Sequence, residues 1–176
     1  MIKIFTDIHK YLTLILSDKL SSLLKISLDL KDISCECQEY LKFSESIPQF
    51  SYIILLKFQN RGILLFIDSK IIYRLSNRML GGKGGIEKKP DPKFTFSEEF
   101  MAKKIVELFF EFYKESKLEV HFLRTETDPN LLHVFYPDES VYTVAMNCKI
   151  NNISIGNILV CYPQIVMDKK ESAWGV

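Results

Sequence analysis

Four of the chain's seven glycines fall within five positions, Gly81, Gly82, Gly84 and Gly85, with Lys83 between the two pairs. Ordering glycine costs more backbone entropy than ordering any other residue, so a cluster calls for a reason. Three present themselves: a phosphate cradle, a mobile tip, or a backbone surface that another protein approaches closely. A phosphate cradle sets its glycines before a helix, where free amides and the positive dipole end face the anion. Here they follow an apolar helical pattern that ends at Met79-Leu80, and no Ser or Thr follows Lys83. That order speaks against a nucleotide loop and leaves the tip and the contact surface open.

Other residue types that could do chemistry are scattered. His9 has Asp7 nearby, but residues two apart on a helix point in different directions, and neither His121 nor His133 sits near a recognisable nucleophile. Each histidine reads as a surface or partly buried side chain. The paired acids Glu98 and Glu99 are accounted for by a helix N-terminus, which attracts carboxylates. Cys35, Cys37, Cys148 and Cys161 contain no Cys-x-x-Cys pair, so neither zinc nor a redox couple is predicted. Cys148 alternates with Tyr142, Val144, Met146 and Ile150 and reads as core. No catalytic, cofactor-binding or metal-binding set is predicted.

The bulk composition bounds the fold without naming a partner. A chain of 176 residues, 47% hydrophobic and 26% charged, suits one domain with a proper core, read as residues 1–170 with a tail at 171–176. The net charge of +1, spread along the chain, argues against a nucleic-acid binder. No apolar run approaches the roughly 20 residues of a spanning helix, and Asp7 interrupts any secretion signal. The expected location is cytoplasmic.

The elements that must position the glycine cluster follow from periodicity. Phe5, Ile8, Leu12, Ile15, Leu16, Leu20, Leu23 and Leu24 recur at helical spacing over the first two dozen residues. Ile26, Leu28 and Leu30 alternate as in a strand, and a looser polar stretch runs from Cys35 to Pro48. Strands are predicted at 50–59 and 62–67, turning at Asn60-Arg61. Ser69 is the expected cap of a helix carrying Ile71, Ile72, Leu75 and Met79, which runs into the glycines. The segment Lys88-Lys89-Pro90-Asp91-Pro92 cannot be helical. Thr95-Phe96-Ser97-Glu98 is a capping box, opening a helix with Phe100, Met101, Ile105, Leu108, Phe109 and Phe112 inward and Lys103 with Glu107 outward. Strands are expected at 118–124, 132–136, 141–150 and 153–161, with a turn at Asp128-Pro129 and a hairpin closed by Asn151-Asn152. Helix, strand and hairpin therefore occur twice. The predicted fold is α/β (α+β), a pseudo-twofold repeat with a mixed sheet packed against two long helices.

The run Leu80-Gly81-Gly82-Lys83-Gly84, Phe94-Thr95 opening a helix, Glu126-Thr127-Asp128-Pro129-Asn130, Pro137-Asp138-Glu139, and Pro163 after a hydrophobic strand together resemble the middle domain of the flagellar motor switch protein FliM. The resemblance extends from the first helix to about Met167. It implies the CheC-like fold shared with the CheC and CheX phosphatases and FliY. Those enzymes carry an Asp or Ser, then a Glu four residues on, then an Asn three further. Here Ser97, Met101 and Lys104 hold that spacing on one helix and Asp7, Tyr11 and Leu14 on the other, so the acid and the amide are both missing. The resemblance therefore implies a non-enzymatic member, with a CheY phosphatase of the CheC or CheX type as the alternative.

It further implies contact with the FliG middle domain through Gly81, Gly82, Lys83 and Gly84, packing beside neighbouring FliM subunits, and a place in the cytoplasmic ring of the basal body. Lys83 replaces the family's common proline, which predicts a less rigid and more basic loop. In the family, phosphorylated CheY and FliN or FliY are met through a leading acidic peptide and a trailing domain that have no counterpart in these residues. Two expectations follow, an excised middle domain or a short homologue.

Overall fold

The computed structural model describes residues 2–48, 50–85 and 93–168. The first apolar stripe winds into α1 (Ile2–Leu24), which buries Phe5, Leu12, Leu16, Leu20 and Leu24 on one face while Leu23 stays outside. β1 (Leu28–Glu39) follows and is longer than the alternation at 26–30 indicates. The polar stretch from Cys35 continues the strand to Glu39 and then forms α2 (Tyr40–Glu45). Its polarity is that of a sheet edge, largely exposed beyond Leu30, with a bulge between Lys31 and Ser34 where Asp32 takes a φ of 52°.

β2 (Ser51–Phe58) and β3 (Arg61–Asp68) pair from Phe58 opposite Arg61, so their turn is Gln59-Asn60, one residue earlier than expected. The cap of α3 (Ser69–Met79) is Asp68, whose carboxylate accepts from the Lys70 N–H at 2.9 Å; Ser69 is the buried first helical residue instead. The segment 88–92 and the tail 171–176 lie outside the described residues. α4 (Phe96–Glu115) opens on the expected capping box, with the Glu98 carboxylate accepting from the Thr95 N–H at 2.6 Å. Met101, Ile105, Phe109 and Phe112 point inward, whereas Phe100 is exposed beneath the Lys104 ammonium. Glu107 pairs with Lys104, three residues before it, rather than with Lys103.

β4 (Val120–Glu126) leads to a single 3-10 turn at Pro129–Leu131, where the Asp128 carboxylate accepts from the Asn130 N–H. The strand expected at 132–136 is absent; Leu132 and Phe135 are buried from irregular backbone. β5 (Ser140–Ile150) and β6 (Ile153–Pro163) form the expected hairpin, and α5 (Gln164–Asp168) follows. Asn151 and Asn152 have φ of 50° and 65°, the doubly positive pattern of a type I′ turn.

The six strands lie in the order β1-β5-β6-β3-β2-β4, and every pairing is antiparallel, so the sheet is not mixed. Exchanging β1, β2 and β3 with β4, β5 and β6 reverses that order onto itself, which is the pseudo-twofold repeat. Each half lends its first strand to the other half's hairpin. α1, α3 and α4 enclose the main core against one face of the sheet. α2 and the segment after β4 cover the other face through Tyr40, Phe43, Leu132 and Phe135, packed on Ile53 and Phe66.

The two sheet edges are treated differently. α1 lies along β1, where Ser17 Oγ accepts from the Leu30 N–H at 2.8 Å and Ser21 Oγ accepts from the Leu28 N–H at 3.0 Å. No side chain of α4 makes the equivalent bond to the β4 backbone among the described residues.

Candidate protein-binding site

The glycine cluster is an ordered helix ending followed by a clamped loop. Leu80 is the last partly helical residue, and Gly81 takes a φ of 86° just past it. The Gly81 N–H donates to Arg78 O at 3.0 Å and the Gly82 N–H to Asn77 O at 2.9 Å. These are the two bonds of a Schellman ending, which needs a left-handed residue at Gly81.

The chain then folds back over the last turn of α3. Asn77 Oδ1 accepts from the Gly84 N–H at 2.8 Å, and an Arg78 guanidinium N–H donates to Gly82 O at 3.3 Å. Gly84, at φ 77°, is buried, and a Cβ there would lie 3.1 Å from Arg78 Cγ. A Cβ on Gly82 would lie 2.2 Å from Asn77 Oδ1. Glycine is thus demanded at three positions by the loop itself, and only Gly85 is free of such a constraint. The four predicted contact residues come together, but unequally: Gly81 and Lys83 are exposed, Gly82 is half-buried, and Gly84 is an internal support. Lys83, with Arg74 and Arg78 on the helix beneath, makes the surface cationic, and Arg74 Nε is buried without a hydrogen-bond partner among the described residues.

Asn77 and Arg78 escaped the sequence reading. Their spacing of seven and four residues to the groups they hold was the available signal, but it has meaning only once the loop turns back on its own helix.

The phosphatase positions hold no water-orienting constellation. Met101 is fully buried in the core, Lys104 is engaged by Glu107 at 2.7 Å, and Asp7 pairs with Lys10 at 2.9 Å. Tyr11 and Leu14 are exposed apolar side chains. Among the described residues no group of three or more His, Cys, Asp or Glu could hold a metal ion, and no helix is long and apolar enough to cross a membrane.

His9 corrects the expectation of a surface or partly buried histidine, because it is fully buried between α1, α4 and β6. Its Nδ1 lies 2.9 Å from Phe5 O and its Nε2 lies 2.9 Å from the Tyr162 hydroxyl, which is 2.9 Å from the Tyr113 hydroxyl. A carbonyl only accepts, so Nδ1 carries the proton, and because full burial disfavours the charged ring, Nε2 is left to accept from Tyr162. Tyr162 has then spent its only hydrogen, and Tyr113 donates to it. The chain of bonds ties the two long helices to the sheet. Burial pushes both phenols well above the ordinary tyrosine range. Cys148 is raised to about 12 and Cys161 well above its usual value, again by burial, so both are inert core thiols.

An antiparallel sheet with first strands exchanged between pseudo-symmetric halves, two long helices on one face and a clamped glycine loop after α3 together define a CheC-like fold. The chain is similar to a chain of the FliG–FliM complex of H. pylori, with a TM-score of 0.78 and 21% identity over 92% of this chain and 91% of that one. It is similar to the FliM middle domain of Vibrio alginolyticus, with a TM-score of 0.77 and 16% identity over 93% and 96% of the two chains. Thermotoga maritima FliY shares the fold at a TM-score of 0.72 and 10% identity, over 98% and 94%. In sequence, it is 26% identical to the flagellar motor switch protein FliM of Bacillus subtilis (strain 168) over 174 residues, which is 95% of this chain and 52% of that protein. The chain thus spans about half the length of that relative. The model of the family described as flagellar motor switch protein FliM matches residues 1–172, and the chain belongs to that family.

Proposed function

We propose that this chain is a non-enzymatic part of the flagellar rotor switch that binds the FliG middle domain through the loop at Gly81, Gly82, Lys83 and Gly84. On this reading residues 1–170 act as one domain, standing beside neighbouring FliM subunits in the ring at the cytoplasmic face of the basal body and relaying chemotaxis signals to rotation direction. The observation that carries the proposal is the clamped loop. Asn77 and Arg78 hold a nearly side-chain-free backbone in one shape, so little ordering entropy remains to be lost when a partner covers it. The departure from proline at position 83 is offset by that clamp, and Lys83 leaves a cation exposed at the loop's tip. The fold shared with a chain of a FliG–FliM complex supports the same partner. The absence of an acid or amide at Met101 and Lys104 supports the non-enzymatic reading, and a phosphoaspartate hydrolysis assay is expected to show no turnover above buffer.

The test is titration of a FliG middle domain into the wild-type chain and two variants. Gly82→Asp is a poor choice, since its Cβ collides with Asn77 and unsettles the clamp. Lys83→Glu alters only an exposed side chain, and at Gly85 a Cβ meets nothing within 4 Å, so Gly85→Asp leaves the loop in place. Both are expected to weaken binding about tenfold or more, through lost charge complementarity and blocked approach. Wild-type affinity in both variants, with unchanged circular dichroism, would remove the loop from the contact.

A further inference from the structure

We infer that the outer edge of β4, with the basic depression at its start, is a second docking surface, and that it takes an extended acidic segment of a partner protein as a seventh strand. It shares no residue with the glycine loop.

The pseudo-twofold makes the open edge conspicuous. Lys25 and Lys117 hold matching places, each at a positive φ just past a long helix, and β1 and β4 then start three residues later. Ser17 and Ser21 therefore correspond to Phe109 and Tyr113, both turned into the core. In the first half the serines occupy the outer Leu28 and Leu30 N–H groups of β1; in the second, among the described residues, nothing comparable does so for β4. Among the described residues β4 pairs only with β2; it lies at the end of the sheet, carries a bulge at Leu123 between Phe122 and Arg124, and leaves Phe122 at 53% and Leu123 at 49% exposure. An uncovered edge strand with apolar side chains is a template for another strand.

Charge selects the kind of strand. A depression of about 590 Å³ is lined by Lys57, Phe58, Lys117, Leu118, Glu119 and His121, and a contiguous one reaches Lys114. Three lysines face one glutamate there, a net +2 with histidine neutral, whereas the whole chain carries +1. None of the three lysines is in an ion pair with a described residue, although Lys10, Lys19, Lys31, Lys104 and Lys149 all are. Lys57 is the direct cross-strand partner of His121, so the cationic patch abuts the strand that would be extended. Lys117 stands at a φ of 55° where glycine is the relaxed choice. The apolar floor and the intervening Glu119 favour a peptide with carboxylates and aliphatic side chains over a polyphosphate, which offers nothing to the apolar residues and is repelled by the glutamate.

The probe is a fluorescein-labelled octapeptide of alternating valine and glutamate, read by anisotropy against the intact chain, with valine-lysine and single-stranded oligonucleotide controls. Preferential binding of the acidic peptide is expected, with a loss of about tenfold in Lys57→Glu/Lys117→Glu and none in Lys103→Glu. Lys117→Gly separates binding from folding: it is expected to weaken the peptide without lowering Tm. Amide exchange at 121–125 should slow when the peptide is present. Equal binding of acidic and basic peptides, tighter binding of the oligonucleotide, equal loss in Lys103→Glu, or unchanged exchange in β4 would each overturn the inference.

Discussion

Tyr162→Phe tests the deduced direction of the buried hydrogen-bond chain. The hydroxyl it removes is the middle link, donating to His9 Nε2 and accepting from Tyr113, with both tyrosines essentially inaccessible to water. Its loss forfeits two bonds, each worth about 1 kcal/mol net, and leaves the Tyr113 O–H buried without its acceptor, at a further cost of about 1–3 kcal/mol. A total of roughly 3 kcal/mol is expected, allowing for relaxation of the Tyr113 ring. Tyr113→Phe removes only the terminal donor; Tyr162 keeps its bond to His9, and the cost is about 1 kcal/mol. For a domain of this size 1 kcal/mol moves Tm by about 2–4 °C, which predicts drops of roughly 6–12 °C and 2–4 °C. Urea unfolding gives the same ranking as a shift in midpoint at constant m. The double variant should be no less stable than Tyr162→Phe alone, because Tyr113 no longer has a stranded donor. Equal losses in the two single variants would refute the assigned direction, as would additive losses in the double.

Alkaline pH should unfold the protein in a defined window: the folded state holds the Cys148 thiol up to about 12 from a usual 9.0 and the Tyr40 phenol up to about 12 from 10.0. The unfolded chain loses these protons first, so stability is full below pH 9 and falls as pH rises towards 12, by at most about 1.4 kcal/mol per unit from Cys148 above pH 9 and a like amount from Tyr40 above pH 10; fluorescence-monitored urea midpoints that stay level to pH 11 would contradict this. Asn152→Gly should raise Tm by roughly 1–3 °C, because a φ of 65° costs asparagine more than glycine in a type I′ turn, and calorimetry reads the shift.

Local signals were the legible ones. α1 and α4 announce themselves by apolar spacing, Thr95 and Glu98 by a reciprocal cap, and Asn151-Asn152 by turn chemistry, since each depends on residues only a few positions apart. β1 beyond Leu30 was hidden because its partners Val144 to Ser140 lie about a hundred residues away and its own side chains face water. Leu132 and Phe135 imitate a strand, yet their burial comes from a loop pressed on Phe66 and its neighbours. His9 was misplaced because its hydroxyl partner belongs to the last strand. At the glycine cluster, position and backbone need were readable, while the clamp by Asn77 and Arg78 was not, because it is made by folding the loop over its helix.

The exchange of first strands between the halves has a consequence for how the chain is born. β1 finds its sheet partner only when β5 has been made, and the hairpin β2-β3 receives β4 on one side and β6 on the other only after α4 has emerged. A growing chain therefore carries an apolar hairpin flanked by vacant edges through most of its synthesis, with Ile53 to Leu56 and Ile63 to Ile67 as the exposed segments. The serines of α1 at the β1 edge, available from the outset, shield one strand during that interval. Neither half has a complete sheet of its own, so neither hairpin is flanked on both sides until strands of both halves have been made.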